Sequence, residues 1–319
     1  MARRRNALQS ARENEISGRR TPILFLLLTM ITVHFIANAH LDPIWLWPWQ
    51  AGLDAALTTC RSACDRLDAH PDLLFTRGEA WVYHQIERID PPLFQRIRAF
   101  VSEGRWSIVN GWWIQPDCNL PSGFAMRKQI DLGRRYFRDR FGQFPRVAYN
   151  VDTFGHAATL PGLLREAGQD RYVMMRPQEH EMKLPARLFR WRGYDNGPEV
   201  VTFRIADAYN STHGMTAEHV QASLSDLPAG VQHTMCFIGV GDHGGRPTEE
   251  HLRWCRKNEN SFDGCRLVFS SPDRFFDAIS SHVDSLPLVT GELQMHAIGC
   301  YSVHRQVKTA VRQAEHLLF

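Results

Sequence analysis

His40 and Asp42 stand two positions apart in NAHLDPIWLWPWQ, residues 38–50, directly after an apolar run, Thr32–Ala37, that reads as a buried strand. On extended backbone, side chains at i and i+2 project to the same side, so an imidazole and a carboxylate can reach one ion. That pair suits a borderline cation such as zinc. Taken alone, the motif is equally well explained by a histidine satisfied by a nearby carboxylate. Asp152, in YNVDTFGH, offers a third ligand from another strand end, and His296, in GELQMHAIGCYS, a fourth. With ligands arriving from separate segments, a metal centre becomes the better account.

The carboxylates carry a second message. Asp42, Asp117, Asp152 and Asp242 cannot all converge uncompensated, because mutual repulsion would force some of them neutral. A divalent cation relieves that. Two of them with separate tasks, an ionised nucleophile and a proton donor, form the arrangement that cleaves a glycosidic bond with retention. Trp45, Trp47, Trp49, Trp112 and Trp113 crowd the same segments, and flat apolar rings suit the C–H faces of pyranoses; Trp106 and Trp191 read as core. Gly244-Gly245 indicates a loop brought close to a ligand. His156 either steadies the Asp152 loop or caps the following helix. Arg77 and Glu79 are placed to reach a substrate hydroxyl, while Arg176 and Glu179 either line the cleft or form a surface ion pair.

Short β-rich runs alternate with helical patterns. The strand candidates are 32–37, 73–76, 106–109, 146–150, 171–174, 199–204, 234–240 and 266–270. The helix candidates are 51–68, 91–103, 123–141, 160–167, 216–225, 248–258 and 273–280. Alternating βα units with apolar strands predict an α/β fold with a parallel sheet covered by helices, open or closed into a barrel. Each chemically unusual residue follows a strand, at the C-terminal end where such folds build their sites.

Composition sets the class. The chain has 319 residues, 44% hydrophobic and 22% charged, with net charge +3. The first twenty residues hold six Arg against two Glu, a surplus of +4, which leaves −1 for the rest. This argues against a nucleic-acid partner. Seven cysteines without a CxxC pair or a regular framework point to a reducing compartment, hence a cytoplasmic location. The apolar run Pro22–Ile31 is too short to span a bilayer. As an export signal it would be cleaved near Ala39 and take the first strand with it. Residues 1–31 are therefore read as an extension outside the fold, with export as the minority alternative, and no membrane partner is expected.

Five segments in order, NAHLDPIWLWPW, GRWSIVNGWWIQPDCNLPSG, VAYNVDTFGHAATLPGLLREAG, GVGDHGGRPT and GELQMHAIGCYS, resemble glycoside hydrolase family 38, the zinc-dependent α-mannosidases. The resemblance runs from about residue 32 to the end. It implies a distorted (β/α)₇ barrel over 32–300 and the start of a helical region at 301–319. It also implies one Zn²⁺ held by His40, Asp42, Asp152 and His296, with Asp152 as nucleophile and Asp242 as acid/base. Trp45, Trp113, Asp117, Phe154, His243 and Tyr301 are expected around the sugar. The implied reaction is hydrolysis of terminal α-D-mannose from an oligosaccharide with retention. Separately, a homo-oligomer is among the expected assemblies. Two departures stand out. Arg246 occupies a place where such loops usually have glycine, which predicts a strained φ or a crowded cleft. The chain also ends at Phe319, inside a helical pattern, where family members continue into further domains. The rival expectations are a metal-dependent carbohydrate deacetylase and an inactive, truncated barrel.

Overall fold

The computed structural model describes residues 30–318 except Asp242, Met295, Ile298 and Val303. The chain begins with β1 (Ile31–Ala37), α1 (Trp49–Ala69), β2 (Phe75–Arg77), α2 (Ala80–Ile89), α3 (Pro91–Ser102), β3 (Trp106–Ile108) and α4 (Gly123–Phe141). It continues through β4 (Val147–Asn150), α5 (Leu160–Glu166), β5 (Arg171–Met174), β6 (Leu188–Arg192), β7 (Glu199–Arg204), α6 (Ala217–Leu224) and β8 (His233–Ile238). It closes with α7 (Glu249–Lys257), β9 (Cys265–Ser270), α8 (Pro272–Ala278), β10 (Leu288–Thr290), α9 (Gly299–Ser302) and α10 (Arg305–Leu317).

β1 lies between β8 and β9 and runs parallel to both. A strand covered on both faces must be apolar along its length, which is why 31–37 is an unbroken hydrophobic run apart from Thr32 and His34. His34 is accommodated by Ser270 Oγ, 2.7 Å from Nδ1, and by His233 Nδ1, 3.0 Å from Nε2. β4, β5 and β7 form a second parallel ladder, with β6 antiparallel to β7 and β10 beyond it. β2 and β3 make a third. Single contacts bridge the gaps: an Asn38–Thr76 bridge joins β1 to β2, and Asn110 N donates to Val147 O at 2.7 Å between β3 and β4. The result is a distorted (β/α)₇ barrel with its hydrogen bonding broken into three ladders.

Two glycines allow helices to approach the loops that carry chemistry. A Cβ at Gly52, in the first turn of α1, would lie 2.2 Å from Pro43 O, so no other residue lets α1 pack against the Asp42 loop. A Cβ at Gly133 would lie 2.3 Å from the Trp112 backbone, so α4 meets the post-β3 loop there. α4 itself starts at Ser122, whose hydroxyl accepts from Ala125 N, and stops at Gly142 in the left-handed region; both are the expected chemistry for helix ends.

The structure adds elements absent from the sequence-based expectation. α2 occupies 80–89, β6 is an unanticipated antiparallel strand, and β10 pairs with it. No helix among the described residues is long and apolar enough to cross a membrane. Most of the apolar run at 22–31 lies outside the described residues.

Candidate metal centre and active-site cleft

His40 follows β1, and its position is set from several sides. Asn38, two residues earlier, donates to Tyr209 O at 2.8 Å and accepts from Tyr149 OH at 3.2 Å. Arg77 Nη1 donates to Ala39 O at 2.7 Å, and Gly244 N donates to His40 O at 3.0 Å. The ring lies 4.9 Å from that of Tyr209. Asp42 is held through its own carbonyl, which accepts from Trp47 Nε1 at 2.9 Å.

His40 Nε2 sits 3.3 Å from Asp42 Oδ1 and 3.5 Å from Asp152 Oδ2. One ligand atom from each of the three side chains falls within 4.8 Å of the others. The imidazole is 5% exposed, yet neither ring nitrogen has a hydrogen-bond partner among the described residues. A buried polar atom without a partner is costly. A cation seated among one imidazole and two carboxylates would satisfy Nε2, the nitrogen that faces them, and offset the paired negative charge, and imidazole with carboxylate is a zinc-type donor set. The residues fit a metal.

Asp152 is also engaged from the other side by Arg176, whose guanidinium contacts Oδ1 and lies 5.2 Å over the Phe154 ring. Arg176 therefore lines the cleft and is not part of a surface pair. His156 fixes this loop. Its Nε2 lies 2.8 Å from Arg176 O, so Nε2 is the protonated nitrogen, and Nδ1 accepts from Tyr172 OH at 2.7 Å. Burial pushes His156 down to about 4, against the opposing effects of its hydrogen bond to the Arg176 carbonyl and of the Asp117 charge. It is neutral, and its backbone pairs with Leu293 in both directions.

A cleft of about 270 Å³ opens onto His40, Asp42, Trp45, Asp117, Asp152 and Phe154. Trp45 is 61% exposed there. One oxygen of Asp117 already accepts from Asn119 N and Leu120 N, at 2.7 and 2.8 Å, so this carboxylate shapes its own loop as well as facing the cleft. Asn119 Nδ2 donates to Gln294 Oε1 and to Tyr301 OH, both at 3.1 Å, which places Tyr301 behind the Asp117 loop. His243 stacks on Trp47 with centroids 3.8 Å apart, beside the Leu41–His243 bridge. His296 is at the edge of the cleft, its ring 5.0 Å from that of Phe154 and its Nδ1 2.5 Å from Glu181 Oε1. It is not among the three groups that converge. Asp242 lies outside the described residues.

Several residues sit elsewhere than expected. Trp113 packs between His84 and Tyr136 because its N–H donates to Gln129 O of α4, which turns the ring towards the helices. Trp112 is wholly buried, its Nε1 donating to Gln169. Arg77 and Glu79 are buried beneath the His40 loop, too deep to meet a substrate hydroxyl. Arg246 needs no strained φ. Its Nε donates to Ser62 Oγ of α1 at 2.6 Å, so it clamps the loop instead of crowding the cleft. Tyr209 and Glu181 also adjoin site histidines, and nothing local in the sequence marks either as a neighbour of a histidine far along the chain.

A larger cavity, about 630 Å³, lies at the opposite, N-terminal ends of β4, β5 and β7. Its charges are mostly paired, Arg146 with Asp170 at 2.5 Å and Arg190 with Glu199 at 3.3 Å. It contains none of the converging ligands.

The profile of the Glycosyl hydrolases family 38 N-terminal domain matches residues 30–297. The chain belongs to this family. Alpha-mannosidase 2C1 of Homo sapiens is 29% identical over 291 residues, which is 90% of this chain and 28% of the human protein. Alpha-mannosidase G of Dictyostelium discoideum is 27% identical, over 88% of this chain and 26% of its own length. The family 38 chain described here thus spans under a third of these relatives. The crystal structure of an alpha-mannosidase from Enterococcus faecalis V583 superposes with a TM-score of 0.73 at 16% identity, covering 82% of this chain and 31% of that one. That likeness is one of fold.

Proposed function

We propose that this family 38 barrel is the catalytic unit of a retaining α-mannosidase that releases terminal α-D-mannose from an oligosaccharide. The observation that carries the reading is His40. It is a buried imidazole with no hydrogen-bond partner among the described residues, set 3.3 and 3.5 Å from two carboxylates at the mouth of the cleft. The names of the relatives supply the sugar.

His40, Asp42, Asp152 and His296 would hold one zinc ion, which when bound supplies a Lewis acid for sugar hydroxyls. The remaining steps belong to the chain. Trp45 offers a flat apolar face at the cleft entrance. Asp152 attacks the anomeric carbon, and its bond to the sugar forms as the glycosidic bond breaks. Arg176 holds Oδ1 and leaves Oδ2 on the His40 side, so one oxygen is positioned while the other is presented. Asp242 gives its proton to the departing oxygen, then takes one from the water that hydrolyses the glycosyl ester. Two inversions at one carbon give retention.

The test is release of p-nitrophenol from p-nitrophenyl α-D-mannoside by the 319-residue chain, with added zinc and with chelator. Chelator-sensitive turnover supports the reading. Turnover indifferent to chelator contradicts the metal's part in it, and absence of turnover with zinc bound removes hydrolysis from what this chain does alone.

A further inference from the structure

Glu181 lies in the connection between β5 and β6, in a turn where Met182 N donates to Gln178 O at 2.9 Å. Its carboxylate is committed at both oxygens: Oε2 accepts from Gln178 N at 2.8 Å, and Oε1 lies 2.5 Å from His296 Nδ1. The turn is braced from outside. Arg204, buried, donates to Met182 O at 2.7 Å, and Gln178 Nε2 donates to Asp207 O at 2.9 Å. Glu181 is therefore a fixed acceptor, with its side chain only 16% exposed against 22% for His296.

A carboxylate oxygen can only accept here, so His296 Nδ1 carries the hydrogen. In a neutral imidazole the lone pair then belongs to Nε2. His296 also meets the edge of Phe154, two residues from Asp152 and part of the same cleft wall. Metal-bound histidines regularly give their second N–H to a carboxylate, which sets tautomer and ring orientation. We infer that Glu181 is a positioning residue for the metal centre, holding His296 in the Nδ1–H tautomer so that Nε2 is its ligating nitrogen. This rests on the metal reading above and adds to it a residue 115 positions away in sequence from the histidine it serves.

The experiment is a zinc dissociation constant by chelator competition, read in a double-mutant cycle on the whole chain, with the melting temperature of each metal-free variant beside it. Glu181→Ala is expected to weaken zinc binding by about 10- to 100-fold, and to have no further effect once His296→Ala is present. Glu181→Gln keeps an acceptor for Nδ1–H and should lose less. An equal loss from Glu181→Ala in both backgrounds, or no loss at all, overturns the inference while leaving the metal centre standing. A wild-type chain that binds no zinc overturns both. If Glu181→Ala does not fold, Glu181→Gln decides in the same cycle: a loss of about threefold or more that vanishes beside His296→Ala supports the inference, and any other pattern refutes it.

Discussion

His40 and His156 follow β1 and β4 at the same end of the barrel, and both rings are buried, at 5% and 0% exposed. Each nitrogen of His156 has a neutral partner, a carbonyl on one side and a tyrosine hydroxyl on the other. Neither nitrogen of His40 has any among the described residues, although two carboxylate oxygens stand within 3.5 Å. A satisfied imidazole contributes to stability by holding three segments together, here the Asp152 loop, the Arg176 segment and Tyr172 of β5. An unsatisfied one among anions lowers apo stability and is explained by what it can bind. Residue type and burial are shared, so the difference in role is written in the hydrogen bonds.

Substitutions should separate the two histidines. The largest effect should come from Asp152→Asn, which removes the proposed nucleophile beside His40: mannoside turnover is expected to fall on the order of 10⁴-fold or more, with the fold intact by circular dichroism. Next is His40→Ala, expected to weaken zinc binding by more than the roughly 10- to 100-fold that loss of a residue supporting a ligand costs. The metal-free chain should hardly change in urea midpoint, because the lost packing is offset by removal of two orphaned nitrogens. His156→Ala should do the reverse, costing about 3 kcal/mol in urea unfolding through two lost hydrogen bonds and a cavity, while zinc affinity stays within a few-fold.

The pH dependence sharpens the same point. His156 is pushed down to about 4 by burial, and His34 to about 4 by burial and the nearby His233. In the unfolded chain each takes up a proton near pH 6.5, but in the folded chain only near 4. Stability from both is therefore complete above 6.5 and drains as pH falls towards 4, by at most about 3 kcal/mol each. His156→Ala should flatten that slope in urea midpoints measured across the window, leaving the share of His34 and of His233 and His251, which burial also shifts down; an unchanged slope would place the titration elsewhere. The smallest effect is expected from Arg312→Ala. This arginine of α10 donates to Leu120 O and pairs with Glu315, which accepts from Ser122 N. Its loss should cost well under 1 kcal/mol yet speed amide exchange at Leu120 and Ser122, behind Asp117.

The parts legible in the sequence were those with local causes. The strands at Arg171–Met174 and Glu199–Arg204 and the helix at Gly123–Phe141 stand where expected, because apolar runs and capping residues mark them directly. His40 and Asp42 were legible from spacing on extended chain, and Asp152 from its place after β4. β6 was not, because its arginines alternate with core residues and it is short; Arg190 and Arg192 both face Glu199 across the β6–β7 hairpin. α2 is masked in the sequence by the charged Arg77 and Glu79 just before it, whereas the Val82, Tyr83 and Ile86 that follow are the buried face of a helix. The pairings of Arg176 with Asp152 and Glu181 with His296 are tertiary, and no local pattern encodes them. Trp112 and Trp113 show the limit of residue type: both resembled sugar platforms, and the backbone of the loop turned them inward.

Whether His40, Asp42 and Asp152 bind a metal ion is decided by an anomalous difference map at the zinc edge from crystals of the zinc-loaded chain. One strong peak is expected at about 2.0–2.2 Å from a nitrogen of His40 and from oxygens of Asp42 and Asp152. Full zinc occupancy at any other position, or no peak at all, would contradict it.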